Sequence, residues 1–269
     1  GSLLCLWPAW SAPSAAAAEA VGWRTDGSGE YLDADPPVRW SVAENVVWKT
    51  PLPSWSNATP VRVGERIFIC SEPNVLLCLN AATGEIQWRR ASDYLDAMAP
   101  DEAGRMRELA ARMDIAGAQR QLRNLRGKIG RLDAELRQKT AAIERLSRDA
   151  ERLPKASEAA GKTADERARI EAERAALRAR AEQERPVLEA AAAELERMLE
   201  PVRVLLMPDT HGANGYSSPT PVSDGHRVWA FFTTGIVAAF DLDGRRLWTA
   251  MTEKPTLTYG VSASPLLVE

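Results

Sequence analysis

The chain has 269 residues, 45% of them apolar, so one or two domains with a filled core fit its length. A formal net charge of −3 excludes a nucleic-acid partner held by bulk electrostatics. Three cysteines and two histidines, with no clustered Cys/His spacing, exclude a cysteine- and histidine-built metal framework.

The stretch 1–20 runs from Leu3-Leu4-Cys5-Leu6-Trp7 to Ala15-Ala16-Ala17-Ala18, short and apolar and ending in small residues. This is the pattern of a secretory signal cleaved near Ala18 or Ala20, although the basic segment that usually opens one is missing. The competing reading is an unstructured Ala/Ser/Pro leader. No stretch is apolar over enough length to span a bilayer.

Gly22-Trp23-Arg24-Thr25-Asp26-Gly27-Ser28-Gly29 follows as a Gly-rich loop. Its Gly-x-Gly neither follows a strand nor opens a helix, which argues against a phosphate cradle. Trp40 to Thr50 is expected to be a strand carrying Trp48. Asn57-Ala58-Thr59 is formally a glycosylation sequon, but Pro60 and strand entry at Thr59 favour turn chemistry.

Residues 59–89 contain four short runs rich in β-branched and aromatic side chains, placed near 59–63, 66–71, 75–80 and 85–89. Turn residues separate them, as in an antiparallel meander. The whole stretch is then written again. Thr59-Pro60 recurs as Thr220-Pro221 at an offset of 161, and Trp88 recurs as Trp248 at an offset of 160. Gly84 and Gly244 stand where the last hairpin turn needs a positive φ. Asn80 and Asp241 precede them, placed to accept backbone N–H bonds across the turn. A third copy opens at Ser264-Pro265. Trp48, Trp88 and Trp248 hold matching places on outer strands, where an indole can wedge between neighbouring sheets.

The step from Trp48 to Trp88 and the step from Pro221 to Pro265 both match a four-stranded propeller blade, about 40–45 residues long. The motif Asn or Asp, two residues, Thr-Gly, three residues, Trp resembles the repeat of pyrroloquinoline-quinone-type propellers. That superfamily includes quinoprotein dehydrogenases and the periplasmic outer-membrane assembly scaffold. The likeness covers residues 22–90 and 209–269; Thr83-Gly84 matches it fully, while Asp243 replaces the Thr in the second copy. The resemblance implies a β-propeller, in which an isolated first strand completes the last blade. Two blades and a stub close no ring, so a partial chain with exposed edges at 36–50 and 260–268 is expected.

Composition changes near residue 95. Residues 101–200 hold 22 basic and 20 acidic side chains and no Phe, Tyr, Trp or His. Leu122, Leu125, Ile129, Leu132, Leu136, Ile143, Leu146, Ala150 and Leu153 form a heptad stripe that Lys139 interrupts. Glu108 with Arg112, Asp133 with Arg137 and Glu144 with Arg148 are set for i,i+4 pairing. Leu153-Pro154 is expected to end this helix, with a turn completed by Ala160-Gly161-Lys162-Thr163. A second helix follows with Ile170, Leu177, Ala181, Leu188, Leu195 and Met198 inward and a kink at Pro186. The interval from Trp88 to Pro221 far exceeds the equivalent intervals from Trp48 to Pro60 and from Trp248 to Pro265, so the helical hairpin is an insertion between blades. By the resemblance, it leaves from the ligand-bearing face.

The expected class is therefore all-β: about two four-stranded propeller blades, incomplete, carrying a long inserted antiparallel coiled-coil hairpin. The expected divisions are a leader at 1–20, first strand and blade at 21–94, hairpin at 95–207, and second blade with the start of a third at 208–269.

Site chemistry is sparse. Asp209, His211, Asn214 and Tyr216 make the most polar loop on the presumed ligand face, and loop capping competes with any catalytic or metal role there. Quinoprotein dehydrogenases imply an adjacent-cysteine disulfide, a stacking Trp and Ca²⁺. Here no Cys-Cys pair occurs, and only Trp55 or Trp229 would be left to stack. Cys70 and Cys78 lie diagonally on adjacent strands, which favours two buried thiols over a bridge. No cofactor is evident, and pyrroloquinoline quinone with Ca²⁺ belongs only to the alternative of an oxidoreductase whose catalytic residues lie in other blades. The favoured expectation is a secreted or periplasmic interaction scaffold that meets a protein partner through the hairpin or a propeller face, with no nucleic acid and no membrane span.

Overall fold

The computed structural model describes residues 21–30, 35–41, 43–152, 154, 157–256 and 260–267. The expected leader at 1–20 and the end of the third repeat copy lie outside the described residues. The chain divides into two compact units, Gly1–Gly104 with Met207–Glu269, and Arg105–Leu206.

The first unit holds two antiparallel four-stranded sheets in sequential order. One is β1 (Val61–Val63), β2 (Arg66–Ser71), β3 (Val75–Asn80) and β4 (Ile86–Ala91). The other is β5 (Val222–Ser223), β6 (Arg227–Phe231), β7 (Ile236–Asp241) and β8 (Arg246–Met251). Each sheet breaks register at the same repeat position, between Cys78 and Leu79 against β4, and between Ala239 and Phe240 against β8. The third strand of each sheet is almost wholly buried, as a strand covered on both faces must be; Leu76, Leu77, Cys78, Ala238, Ala239 and Phe240 are fully enclosed.

A repeated seam joins β-segments within this unit. The Trp88 indole N–H donates to the Leu242 carbonyl at 3.1 Å, and its ring lies against Gly244, whose φ is +81°. One repeat earlier, Trp48 donates to the Ala81 carbonyl at 3.0 Å and lies against Gly84, whose φ is +73°. Two positions beyond each Trp a side chain closes the contact: Arg90 Nε donates to the Gly244 carbonyl at 2.6 Å, and Thr50 Oγ1 to the Gly84 carbonyl at 2.6 Å. Trp88 also joins the two cores, its ring 5.8 Å from Phe68 and 6.3 Å from Phe240. Buried bonds add to this seam, from Thr234 Oγ1 to Asn74 Oδ1 at 2.7 Å and from Tyr94 Oη to the Thr234 carbonyl at 3.0 Å.

The second unit is built on α2 (Ile115–Arg152) and α3 (Glu158–Leu199), preceded by α1 (Pro100–Ala110), which begins in the first unit. Arg126 with Glu196, Asp133 with Arg185, and Lys139 with Glu173 pair in descending order along α3, so the two helices run antiparallel. Ala118, Leu122, Ala192, Leu199 and Val202 form the core at one end. Further along, Leu132, Ile143 and Ala181 are the buried positions, a thin seam.

The structure corrects several expectations. The class is not all-β: 42% of the described residues are helical against 19% strand, and two four-stranded sheets alone enclose no propeller ring. The inserted helices are simply longer than all eight strands together. No strand forms at 36–50 among the described residues, only a Ser41–Glu44 bridge, and Trp40 and Val47 are 79% and 88% exposed. A strand needs a ladder partner for its backbone groups, and none lies alongside. The same holds for the described residues of 260–267, where no ladder forms.

In the hairpin, 160–163 is helix and not turn. The Ser157 hydroxyl accepts from the Ala160 N–H at 3.1 Å and starts α3 ahead of Gly161. Helix α3 runs on through Pro186. Met198 is exposed and Leu199 takes the buried place. Glu108–Arg112, Asp133–Arg137 and Glu144–Arg148 form no ion pairs; Asp133 is taken by Arg185 across the hairpin. Exposed i,i+4 pairs are worth only tenths of a kcal/mol, so a half-buried partner wins.

The seam glycines set a direct test. A Cβ on Gly84 would sit 2.3 Å from Trp48, and one on Gly244 2.7 Å from Trp88, whereas one on Gly64 meets nothing within 4 Å. Gly84→Ala and Gly244→Ala should each lose about 2–4 kcal/mol in urea unfolding, from overpacking plus left-handed strain. Gly64→Ala, with φ +57° but free space, should lose only about 1–2 kcal/mol.

Candidate binding cleft

Three entries, the first two of which open strands, share one short pattern: Asn57-Ala58-Thr59-Pro60, Ser218-Pro219-Thr220-Pro221 and Ser262-Ala263-Ser264-Pro265. Proline fixes φ at each entry and donates no hydrogen bond, which leaves the residue before it extended. The hydroxyls then link one entry to the next. The Thr59 N–H donates to Thr220 Oγ1 at 3.3 Å, and the Thr220 N–H donates to Ser264 Oγ at 3.0 Å.

All six polar side chains of these entries line one cleft of about 610 Å³. Its remaining wall includes Trp23, Asp26 and Leu266. The loop bearing Trp23 and Asp26 is fastened by a two-way backbone bridge between Val21 and Ser223, 2.8 Å in each direction. Arg24 and Thr25 take positive φ to turn it. The Asp26 carboxylate accepts from the Ser28 N–H at 2.8 Å, and its bonds to Ser28 hold its pKa below the usual value. Trp23 is 51% exposed with the Arg24 guanidinium 5.1 Å from its ring centroid.

Much of the donor capacity is already engaged inside the protein. The Asn57 amide donates to the carbonyls of Ala213 and Asn214, and the Ser218 and Ser262 hydroxyls donate to Asn214 Oδ1. Thr220, which is buried, and Ser264, which is half-buried, use their hydroxyl oxygens as acceptors within the entries. The cleft is thus a hydrogen-bonding surface with one carboxylate and an indole, suited to binding. Among the described lining residues Asp26 is the only carboxylate, and no histidine, cysteine or lysine joins it.

The loop residues singled out in the sequence are placed as follows. Asn214 buttresses the cleft through the two serine bonds. The Tyr216 hydroxyl donates to the Pro208 carbonyl at 2.8 Å, and the Tyr216 N–H donates to Glu72 Oε1 at 2.9 Å. His211 accepts from the Ala213 N–H at Nδ1, 3.2 Å, and its carbonyl accepts from Asn214 and Gly215. Asp209 is exposed. Asp209 and His211 do not line the cleft. Among the described residues no three His, Cys, Asp or Glu side chains stand together as a metal site. Ca²⁺ takes about six to eight oxygen ligands, and among the described residues no carboxylate cluster supplies them.

Of the repeat positions, Trp48 and Trp88 occupy the seams described above, while Trp248 is 46% exposed. Asn80 Oδ1 accepts from the N–H groups of Ala82 and Thr83. Asp241 Oδ1 accepts from Asp243 and Arg245, and Arg245 Nε donates to Oδ2 at 3.0 Å. Cys70 and Cys78 are free and buried, and burial pushes their thiols up to about 12 and about 11. Cys70 pairs in register with Leu76 and Cys78 with Phe68, so they are not opposite one another. Of the polar residues two places before each entry's Thr or Ser, Asn57 was read only as a sequon or turn residue, and Ser218 and Ser262 escaped the sequence reading; the shared position was missed. Aligning the three Thr-or-Ser-Pro entries would have exposed it.

The Asp241 turn has a pH signature. The Arg245 backbone N–H, then its guanidinium, hold the Asp241 pKa below its ordinary 3.8. The group therefore adds stability above that value and loses it as pH falls through its lowered pKa. Urea midpoints measured from pH 7 down to pH 2 should fall less steeply below pH 4 for Asp241→Asn than for the native chain. An identical slope in both would remove this role.

The family described as outer membrane protein assembly factor BamB matches residues 38–188, more than half of the chain. The matched segment takes in the first sheet, α1, α2 and most of α3, and leaves the second sheet outside. No curated protein and no solved structure matched the chain. With the repeat and the seams of its sheets, that match identifies the chain as belonging to the family of BamB-like proteins built on pyrroloquinoline-quinone-like repeats.

Proposed function

We propose that this protein is a secreted or periplasmic interaction scaffold, in which the PQQ-like repeats form a rigid base and the helical hairpin is the partner-binding extension. The observation that carries this reading is the geometry of the hairpin. Helices of 38 and 42 residues share a thin apolar seam, and most of their length on the remaining faces is solvent-exposed. Folding alone does not call for so much exposed helix surface, whereas a binding arm does. The family's printed description as an assembly factor points the same way. No described helix is long and apolar enough to cross a membrane. The domain divisions at 21–94, 95–207 and 208–269 belong to this reading, with the hairpin inserted into the repeat array.

Photo-crosslinking residues placed singly at Gln138, Ala172 and Ala190 on the arm, and at Arg89 on β4 as a control, test the reading in cells making the full chain. All four positions are exposed. The arm positions should give discrete adducts to a second polypeptide, and at least fivefold less adduct is expected at Arg89. Absence of adducts from every arm position, or an absorbance change when pyrroloquinoline quinone and Ca²⁺ are added to the purified chain, would turn the assignment towards an oxidoreductase.

A further inference from the structure

The near-zero charge of the hairpin hides a segregation. Helix α2 carries ten basic and five acidic side chains, whereas α3 carries eight basic and ten acidic. At about 100° per residue, the buried positions of α2, namely Ala118, Leu122, Leu132 and Ile143, mark one face. The opposite face presents Arg120, Arg123, Arg131 and Arg145, with Arg137 towards one flank, all exposed. From residue 115 to 132 the helix has no acid at all. Of the acids further along, Asp133, Glu135, Glu144 and Glu151 project to the flanks at helical spacing, and Asp149 stands on the same face just past Arg145.

Most of these arginines are unanswered. Among the described residues, Arg120, Arg123, Arg131 and Arg137 form no ion pair, and Arg145 meets only Asp149 at 3.9 Å. Between them stand Gly127, Ala134 and Ala141, which keep the face low enough for a second backbone to come close. The stripe from Arg120 to Arg145 is about 38 Å long.

We infer that this arginine face of α2 docks an acidic α-helical segment of the partner protein; the inference rests on the scaffold reading and names the partner's chemistry. Three features select a helix over other polyanions. The hairpin already joins helix to helix by this chemistry, in Arg126 with Glu196, Arg185 with Asp133 and Lys139 with Glu173. Five arginines and no lysine on the stripe suit planar, two-pronged carboxylate contacts. The stripe has no aromatic or large apolar side chain, so it offers neither a stacking platform for bases nor a wedge for a lipid interface.

The probe is a fluorescein-labelled, Ala-based helical peptide of about 36 residues, long enough at 1.5 Å per residue to cover the stripe, with Glu along one face, titrated with the full chain at low salt. A peptide with Gln at the same places, a duplex DNA, and phosphatidylglycerol-containing vesicles serve as competitors. The Glu peptide should bind and the Gln peptide should not. The combined variant Arg120→Gln, Arg123→Gln, Arg131→Gln and Arg137→Gln should weaken binding about tenfold to a hundredfold, about 0.3–0.7 kcal/mol for each of four pairs. Arg167→Gln, Arg169→Gln, Arg178→Gln and Arg180→Gln together, on α3, should change it less than threefold, with helicity by circular dichroism equal in all three proteins. Equal affinity in the α2 variant, or tighter binding of duplex or vesicles than of the Glu peptide, overturns the inference. If arm crosslinks to a polypeptide persist while the α2 variant binds the peptide unchanged, the stripe falls and the scaffold reading stands.

Discussion

The first unit depends on the seating of an indole against a glycine. Trp88 fills the space that any side chain on Gly244 would need, and Trp48 does so at Gly84. The apolar contribution is the larger one: burying an aromatic side chain is worth about 1.5–3 kcal/mol, against about 0.5–1.5 kcal/mol for its hydrogen bond. Yet the N–H fixes the depth and angle, since only one placement of the ring brings Nε1 to the carbonyl of Leu242 or Ala81. Hydrophobic burial holds the sheets together, and the bond chooses how. The turn acceptors Asn80 and Asp241 matter for the same reason, because they hold each glycine in the left-handed conformation that presents a flat backbone to the ring.

The second unit is governed differently. Its seam is too thin for burial to dictate register along the whole of α2, and charged pairs across the hairpin take over that task. Lys139 shows the principle. It interrupts an otherwise apolar stripe, and its ammonium meets Glu173 at 2.7 Å, which lowers the Glu173 pKa through that bond and its charge. A cation at that level is satisfied only in the native alignment. A slide of one helical turn would leave it facing the wrong side chain, so the pair defines register even though it adds little stability.

The repeat was legible because its physics is local. Asn80, Gly84 and Trp88 lie within one turn and the strand that follows it, and the same chemistry recurs at Asp241, Gly244 and Trp248. Strands β1 to β4 could therefore be placed closely from turn residues and alternation, and the repeat marked where their second copies lie. The strand expected at Trp40 to Thr50 was not a local question. Val46 and Val47 suit a strand, but the ladder partner has to come from elsewhere, and no string of β-branched residues can supply it. The fold class went wrong for a related reason: the blades were weighed by their motif, while the class of the chain is decided by length, and the helices are longer. In the cleft, Thr59, Thr220 and Ser264 were visible as strand entries, yet their link from N–H to hydroxyl exists only when three entries stand side by side.

The arginine stripe shows how a summed quantity can conceal a surface. Counting 22 basic against 20 acidic residues in 101–200 suggests an evenly solvated pair of helices. Helical geometry divides that sum by face, and α3 contributes much of the acid. Arg126, on the flank of α2, is answered by Glu196; Arg123, nearly one turn earlier, points away from α3 and is answered by nothing among the described residues. An ion pair across the hairpin and an unanswered surface charge thus differ only by a small step of helical phase. Whatever partner meets this arm therefore encounters one cationic edge on α2 and, on α3, an exposed face broken by Ala164, Ala168, Ala172 and Ala179. Under the proposed scaffold reading, two such unlike faces on one hairpin give a partner only one way to lie along it, which makes orientation, more than affinity, the property the arm supplies.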